Sequence, residues 1–103
     1  MWVVGGWGAG AKMISSVESY NIATDTWTKR PSLPVGLAAC SLAVLPTSKG
    51  LSLATLGGYY HMDEKWKYPT DTCFRYDREM RCWAYESTLR LPKARCGHAM
   101  VTV

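Results

Sequence analysis

An all-β chain of propeller-type blades is predicted by three observations. A Tyr/Trp pair with the same spacing occurs twice, as Tyr20 with Trp27 and as Tyr76 with Trp83. Each pair is preceded by an apolar run that ends in two glycines, Val3-Val4-Gly5-Gly6 and then Ala54-Thr55-Leu56-Gly57-Gly58. Leu33-Pro34 returns as Leu91-Pro92, each followed by a short apolar run. The offsets are 52 residues for the glycines, 56 for the aromatic pair and 58 for the Leu-Pro step. A repeat of about 50 residues, with several short strands per unit, is the sequence sign of a propeller array.

Each element follows in order. Residues 1–4 are an apolar strand in which Trp2 and two β-branched valines suit a pleated, half-buried surface, and residues 5–10 read as a glycine-rich loop. Residues 17–20 form the next strand. Asn21 to Asp25 supply turn chemistry, because Asn and Asp side chains bond the local backbone and tolerate positive φ. The chain returns over residues 26–29, completing a hairpin. Two prolines in residues 30–36 suit a crossing between blades better than a paired strand. Residues 37–45 are nearly all small or aliphatic and read as one buried central strand. A turn at 46–50 leads to a strand over 51–56. Residues 59–70 hold four residues more than the first copy and read as a long loop, the place where a repeat protein adds binding surface. Strands at 71–76 and 81–85 form the second hairpin, residues 87–95 cross over again, and residues 96–103 are a final apolar strand. The count is eight strands and no helix.

Length and composition set the scale. A chain of 103 residues buries about 60–70% of its unfolded surface, a marginal core. With 48% hydrophobic and 19% charged residues it belongs among globular chains. A net charge of +4, with twelve basic residues interleaved among eight acids, suits a partner of some acidic character and falls far short of a nucleic-acid-binding tail. Cys40, Cys73, Cys82 and Cys96 have no zinc-type spacing and read as small, buried or half-buried thiols in a reducing, cytoplasmic compartment. The sequence carries no signal-peptide pattern, no long apolar stretch and no Asn-x-Ser/Thr acceptor. No metal, cofactor, nucleic acid or membrane is expected as a partner.

The double glycine after an apolar strand, then Tyr, then Trp seven residues on, resembles the kelch-repeat family, and the ordered set occurs twice. Residues 16–20 running into 24–27 are most similar to kelch-like proteins that carry a BTB domain upstream. The resemblance implies blades of four antiparallel strands, with the innermost strand of a blade preceding its double-glycine strand. By that order residues 1–45 hold repeat 1, strands two to four of one blade plus the crossover to the next inner strand. Residues 46–103 hold repeat 2, the rest of the complete blade plus a final inner strand. Propellers close with four to eight blades, so about two blades imply an incomplete propeller, completed by further blades in a longer chain or by association.

The physical reading of the motif stands beside the resemblance. Gly5, Gly6, Gly57 and Gly58 allow unusual backbone angles and close approach of a neighbour. Tyr20, Trp27, Tyr76 and Trp83 offer large apolar area with a polar tip that needs a partner, a structural role that joins blades.

Function is placed by the resemblance on loops after the double glycines and on the crossovers. Trp7 lies in the first such loop. The second holds Tyr59, Tyr60, His61 and Trp66, with Tyr68, Lys65 and Lys67 interleaved, residue types that form interaction hot spots. The plainer reading is that some of these rings only pack the loop onto its own blade. Arg95 matches an arginine that in this family can point into the binding mouth, where its fork suits a carboxylate. The plainer reading there is an arginine that satisfies backbone carbonyls at a blade junction. Leu37 occupies the matching place in the first copy.

Competing chemistries find little support. Gly6-x-Gly8-x-x-Ala11 has the letters of a dinucleotide-binding loop, but strand-forming residues follow where a helix is required. No nucleophile, histidine and acid come together, and His98 reads as a packed strand residue. No aromatic-basic ladder typical of single-strand binders runs along the strands. The resemblance therefore implies a protein-interaction module, and no enzymatic activity is expected. Its leading form is a piece of the substrate-recognition propeller of a BTB-kelch adaptor for a ubiquitin ligase. The alternatives are an actin-binding, cytoskeletal kelch protein and a fragment of a kelch-fold enzyme, such as a copper oxidase or a sugar epimerase.

Overall fold

A computed structural model describes residues 1–9, 12–61 and 67–98. Ten strands form among them: β1 (Trp2–Trp7), β2 (Met13–Asn21), β3 (Thr26–Arg30), β4 (Leu37–Ala38), β5 (Ser41–Thr47), β6 (Gly50–Leu56), β7 (Tyr59–His61), β8 (Lys67–Pro69), β9 (Cys73–Asp77) and β10 (Cys82–Tyr85). They make a three-stranded sheet β1-β2-β3, a four-stranded sheet β10-β9-β6-β5 and a small sheet β4-β7-β8, all antiparallel. The fold is all-β, and the four-stranded sheet is one blade of an incomplete propeller.

Strand alternation in the first sheet separates two faces. Val17 and Ser19 are buried and lie opposite Val4 and Trp2, whereas Glu18 and Tyr20 lie on the other face, beside Lys29 and Trp27. The β2–β3 hairpin closes on Asn21, whose Oδ1 accepts the amides of Ala23 and Thr24 at 3.0 and 3.4 Å. In the β9–β10 hairpin Asp77 does the same for Glu79 and Met80, at 2.9 and 3.1 Å. Both turns end on a residue at φ 52°, Asp25 and Arg81. An Asx-bonded turn that can accept a non-glycine residue in the left-handed region is what Asn and Asp at these places favour.

The core lies between the two blades. Val17, Leu33, Leu37 and Trp83 form its buried centre, with Trp2, Val4, Leu53, Tyr60, Phe74 and Tyr76 packed around it. The Trp83 indole N–H donates to the Pro31 carbonyl at 3.0 Å, so the second blade is fixed to the crossover that leaves the first. Trp2 and Tyr76 meet across the junction with centroids 5.7 Å apart. Behind the second blade, Ala54, Leu56 and Cys73 make a smaller core under Leu89 and Leu91. Each crossover is anchored alike: Leu33 N–H donates to Ser15 O at 2.8 Å, and Leu91 N–H to Asp71 O at 2.9 Å.

Several expectations need correction. The first double glycine is inside β1, which continues to Trp7 through a register shift between Val4 and Gly6, rather than opening a loop. Residues 37–45 are not one strand: β4 and β5 are separated at Ala39, where φ is 54°, because Leu37 and Ala38 leave the blade to pair with β7. Residues 59–70 are not simply a loop, since β7 and β8 form a hairpin there. Of the final strand expected over 96–103, residues 96–98 are not strand, and the others lie outside the described residues.

The first glycine of each pair is required by backbone contact. A Cβ on Gly5, at φ 63°, would collide with the Leu37 carbonyl oxygen, and one on Gly57, at φ 70°, would lie 2.6 Å from the Arg95 carbonyl oxygen. Leu37 and Arg95 are the same position in successive repeats, so one contact is made twice. Gly97 has a φ of 62° but meets nothing within 4 Å among the described residues. Gly97→Ala should therefore cost only the backbone term, on the order of 1 kcal/mol. Gly5→Ala should lower stability by more than about 2 kcal/mol, because a carbonyl oxygen cannot move aside as a flexible side chain can. Thermal melts of the two variants check this, and equal melting temperatures would contradict it.

Candidate functional site

The loop ends of both blades converge on β4. Gly36 packs on the Met13 backbone, Gly5 on Leu37, and Gly58 on Ala38 and Cys40. Leu37 pairs with Tyr60, and Ala38 with Tyr59. From the other side the last crossover closes in: Gly58 N–H donates to Arg95 O at 2.9 Å, Arg95 N–H to Thr70 O at 3.2 Å and Gly97 N–H to Ala39 O at 2.8 Å. Two glycine-bearing strand ends, a short hairpin and a crossover are thereby stitched into one face.

Tyr59, Tyr60 and Arg95, three of the residues singled out in the sequence, are brought together there. Tyr60 sits half-buried against the inter-blade core and 6.3 Å from the Tyr68 ring, which is itself exposed. Its ring thus packs the hairpin onto the blade junction. Tyr59 lies beside Cys96, and a hydrogen bond between the two raises its phenol pKa above the ordinary value. The Arg95 side chain is exposed, with Nε donating to the Lys93 carbonyl at 3.4 Å, a long contact that leaves the rest of the guanidinium facing solvent. Trp7 stands opposite Met13 at the end of the first sheet and is 47% exposed. The backbone of His61 ends β7, and Trp66 lies outside the described residues.

Between these residues is a feature that sequence reasoning missed. An apolar cavity of about 270 Å³ is lined by Val35, Leu37, Tyr60, Thr70, Thr72 and Phe74. It sits at the mouth of the blade junction, bordered by a crossover residue, a hairpin residue and a blade residue. No single stretch of sequence holds its walls. The opposite end of the second blade carries a cleft of about 300 Å³ between the 48–49 turn and the 78–81 turn. Within it Lys49 pairs with Glu79 at 2.9 Å. The amides of Met80 and Glu79, with Lys49 and Arg75 nearby, hold the Asp77 carboxyl below its usual range despite some desolvation.

Nucleophilic chemistry has no centre among the described residues. His98 packs its ring on Gly57, and both ring nitrogens are buried with no partner there. Burial, with a lesser push from the Glu86 carboxylate, raises the Cys73 thiol to about 11, leaving it a protonated core residue at neutral pH. Burial also pushes the Cys40 thiol up. The four cysteines are free thiols; Cys40, Cys73 and Cys96 are buried or half-buried, whereas Cys82, at the start of the outermost strand β10, is exposed, against the expectation from sequence.

The Kelch motif matches residues 1–34, the span of β1, β2, β3 and the first crossover. No curated protein matches the chain.

Because the folded thiol of Cys73 holds its proton above the pH at which an unfolded cysteine loses it, the unfolded state binds fewer protons between about pH 9 and 11. Stability is therefore expected to fall as pH rises through that window, and Cys73→Ala should flatten the fall. In native protein at pH 8, iodoacetamide should modify Cys82 first and leave Cys73 intact. Peptide mapping after timed labelling reads this, and early labelling of Cys73 would contradict it.

Proposed function

We propose, on the Kelch motif matched over residues 1–34, that the chain is a protein-binding scaffold of the kelch-repeat type and serves in substrate recognition for a kelch-type ubiquitin ligase adaptor. It would capture a short, acidic segment of a target protein on the face around β4. The observation that carries this reading is the apolar cavity beside Tyr60, with the Arg95 guanidinium facing solvent on the crossover that borders the same hairpin. An apolar recess with aromatic walls accepts one anchoring side chain, and a guanidinium fork takes a carboxylate. Exposed Trp7 and Tyr68 extend the contact area. Binding of actin, by contrast, calls for a broad surface, and no observation favours it over a short segment.

Expected behaviour is specific enough to measure by fluorescence polarisation with synthetic peptides that carry one aromatic or leucine residue flanked by Asp and Glu. These should bind, and lysine-flanked peptides of the same anchor should not. Arg95→Ala should weaken binding by about tenfold, in the range of one charge-assisted contact, and Tyr60→Ala by at least as much. Lys49→Ala, at the far end of the blade, should leave it unchanged. Equal binding of acidic and basic peptides, or equal loss in all three variants, would overturn the proposal. Co-sedimentation with filamentous actin that Lys49→Ala and Arg95→Ala leave alike would favour the cytoskeletal reading instead.

A further inference from the structure

Three walls of the apolar cavity, Thr70, Thr72 and Phe74, come from one short run of chain. The Thr70 and Thr72 hydroxyls hydrogen-bond each other at 2.8 Å, and the Thr72 N–H donates to the Thr70 hydroxyl at 3.2 Å. Both hydroxyls are therefore engaged within the wall, and Val35, Leu37 and Phe74 add only hydrocarbon. Asp71, between the two threonines, does not line the cavity; its carboxylate lies 3.7 Å from Arg90 Nε on the crossover.

Arg95 is held on the same run. Its N–H donates to the Thr70 carbonyl at 3.2 Å, its own carbonyl accepts the Gly58 N–H at 2.9 Å, and the Thr70 N–H donates to the Gly58 carbonyl at 2.8 Å. Three backbone bonds thus set Arg95 one hydrogen bond from the cavity wall, beside the strand end that leads into Tyr59 and Tyr60. Its side chain is exposed, as is that of Lys93, and the charge of Asp71 is offset by Arg90. An apolar recess and a cationic rim therefore lie side by side, in fixed register.

We propose that this site reads two residues of an extended segment, an apolar anchor and an acid two positions from it. The inference rests on the reading of the β4 face as a site for a short acidic segment, and adds the register of that segment. Side chains of an extended chain alternate in direction, so an acid next to the anchor points away from the protein. One two positions along points to the same side, about 7 Å from the anchor, and one four positions along lies about 13 Å off. Only the spacing of two brings a carboxylate to an arginine anchored on the cavity's own wall while the anchor stays seated. A recess of about 270 Å³ suits a single leucine, isoleucine or phenylalanine side chain. Asparagine, close to leucine in shape, would lose its water there and meet walls whose hydroxyls are already engaged.

Fluorescence polarisation of the full chain reads the register, with labelled peptides of otherwise neutral sequence that carry one leucine and one glutamate. The two are set one, two, three or four positions apart, in both directions. The tightest binder should have a spacing of two, at least about tenfold tighter than a spacing of one. Asparagine in place of its leucine should cost about tenfold or more. Arg95→Glu, at an exposed side chain, should make lysine bind better than glutamate at that same spacing. Val35→Trp, at a cavity residue that is 41% exposed and has room for a larger ring, should abolish the difference between leucine and asparagine. Unchanged circular dichroism of both variants separates these effects from misfolding. Acidic peptides that bind equally at every spacing, or best at one, three or four, would overturn the inference and leave the site reading standing. Glutamate still preferred by Arg95→Glu, or no binding by any acidic peptide, would remove the site reading and the inference with it.

Discussion

Trp83 turns two sheets into one core. A two-blade chain has little apolar surface to spare, and each sheet alone would leave one face to water. The indole fills the space between Val17, Leu33 and Leu37 and gives its only donor to the Pro31 carbonyl. Burying an indole without that acceptor would leave an unsatisfied polar group, which typically costs about 1–3 kcal/mol. The acceptor comes from the crossover and not from a strand, so the linker between blades is structural.

The glycines serve the same junction from its other end. Gly5 brings the edge of the first blade against the Leu37 backbone, and Gly57 brings the second against Arg95. These contacts place β4 beside β7, which builds the mouth where Tyr59, Tyr60 and Arg95 gather. The repeat conserves geometry while exchanging chemistry. In the first blade Arg30 donates to Ser19 at 2.8 Å and stacks over Trp2, while at the matching positions of the second blade Glu86 accepts from Arg75 at 3.1 Å. A side-chain bond is kept at the matching place, with the arginine on the other partner and a carboxylate opposite it. The Thr88 hydroxyl and amide, with Arg75, keep the Glu86 carboxyl below its ordinary value.

Much of this was legible in the residues, for definable reasons. The hairpins were, because turn chemistry at Asn21 and Asp77 is local. The blade order was, because the glycine and aromatic offsets repeat. The break at Ala39 was not: an unbroken apolar run has no period from which to read that its first two residues pair with a different sheet. The β7–β8 hairpin was hidden because its register is set by Leu37 and Ala38, more than twenty residues earlier. The different burial of Trp27 and Trp83 could not be read from two identical motifs, since burial depends on what stands opposite. At the candidate site the residue types were visible, but the cavity formed by Val35, Tyr60 and Phe74 arises only once three separate segments meet.

The claim that one repeat's indole fastens it to the blade before it is tested most directly by hydrogen exchange of the indole N–H groups, resolved by NMR with assigned tryptophans. The Trp83 N–H should exchange only as fast as the whole protein unfolds, and, in dilute solution, the Trp27 N–H should exchange at nearly the rate of a free indole. If the Trp83 N–H exchanged as rapidly as that of Trp27, the junction described here would not be what holds the blades together.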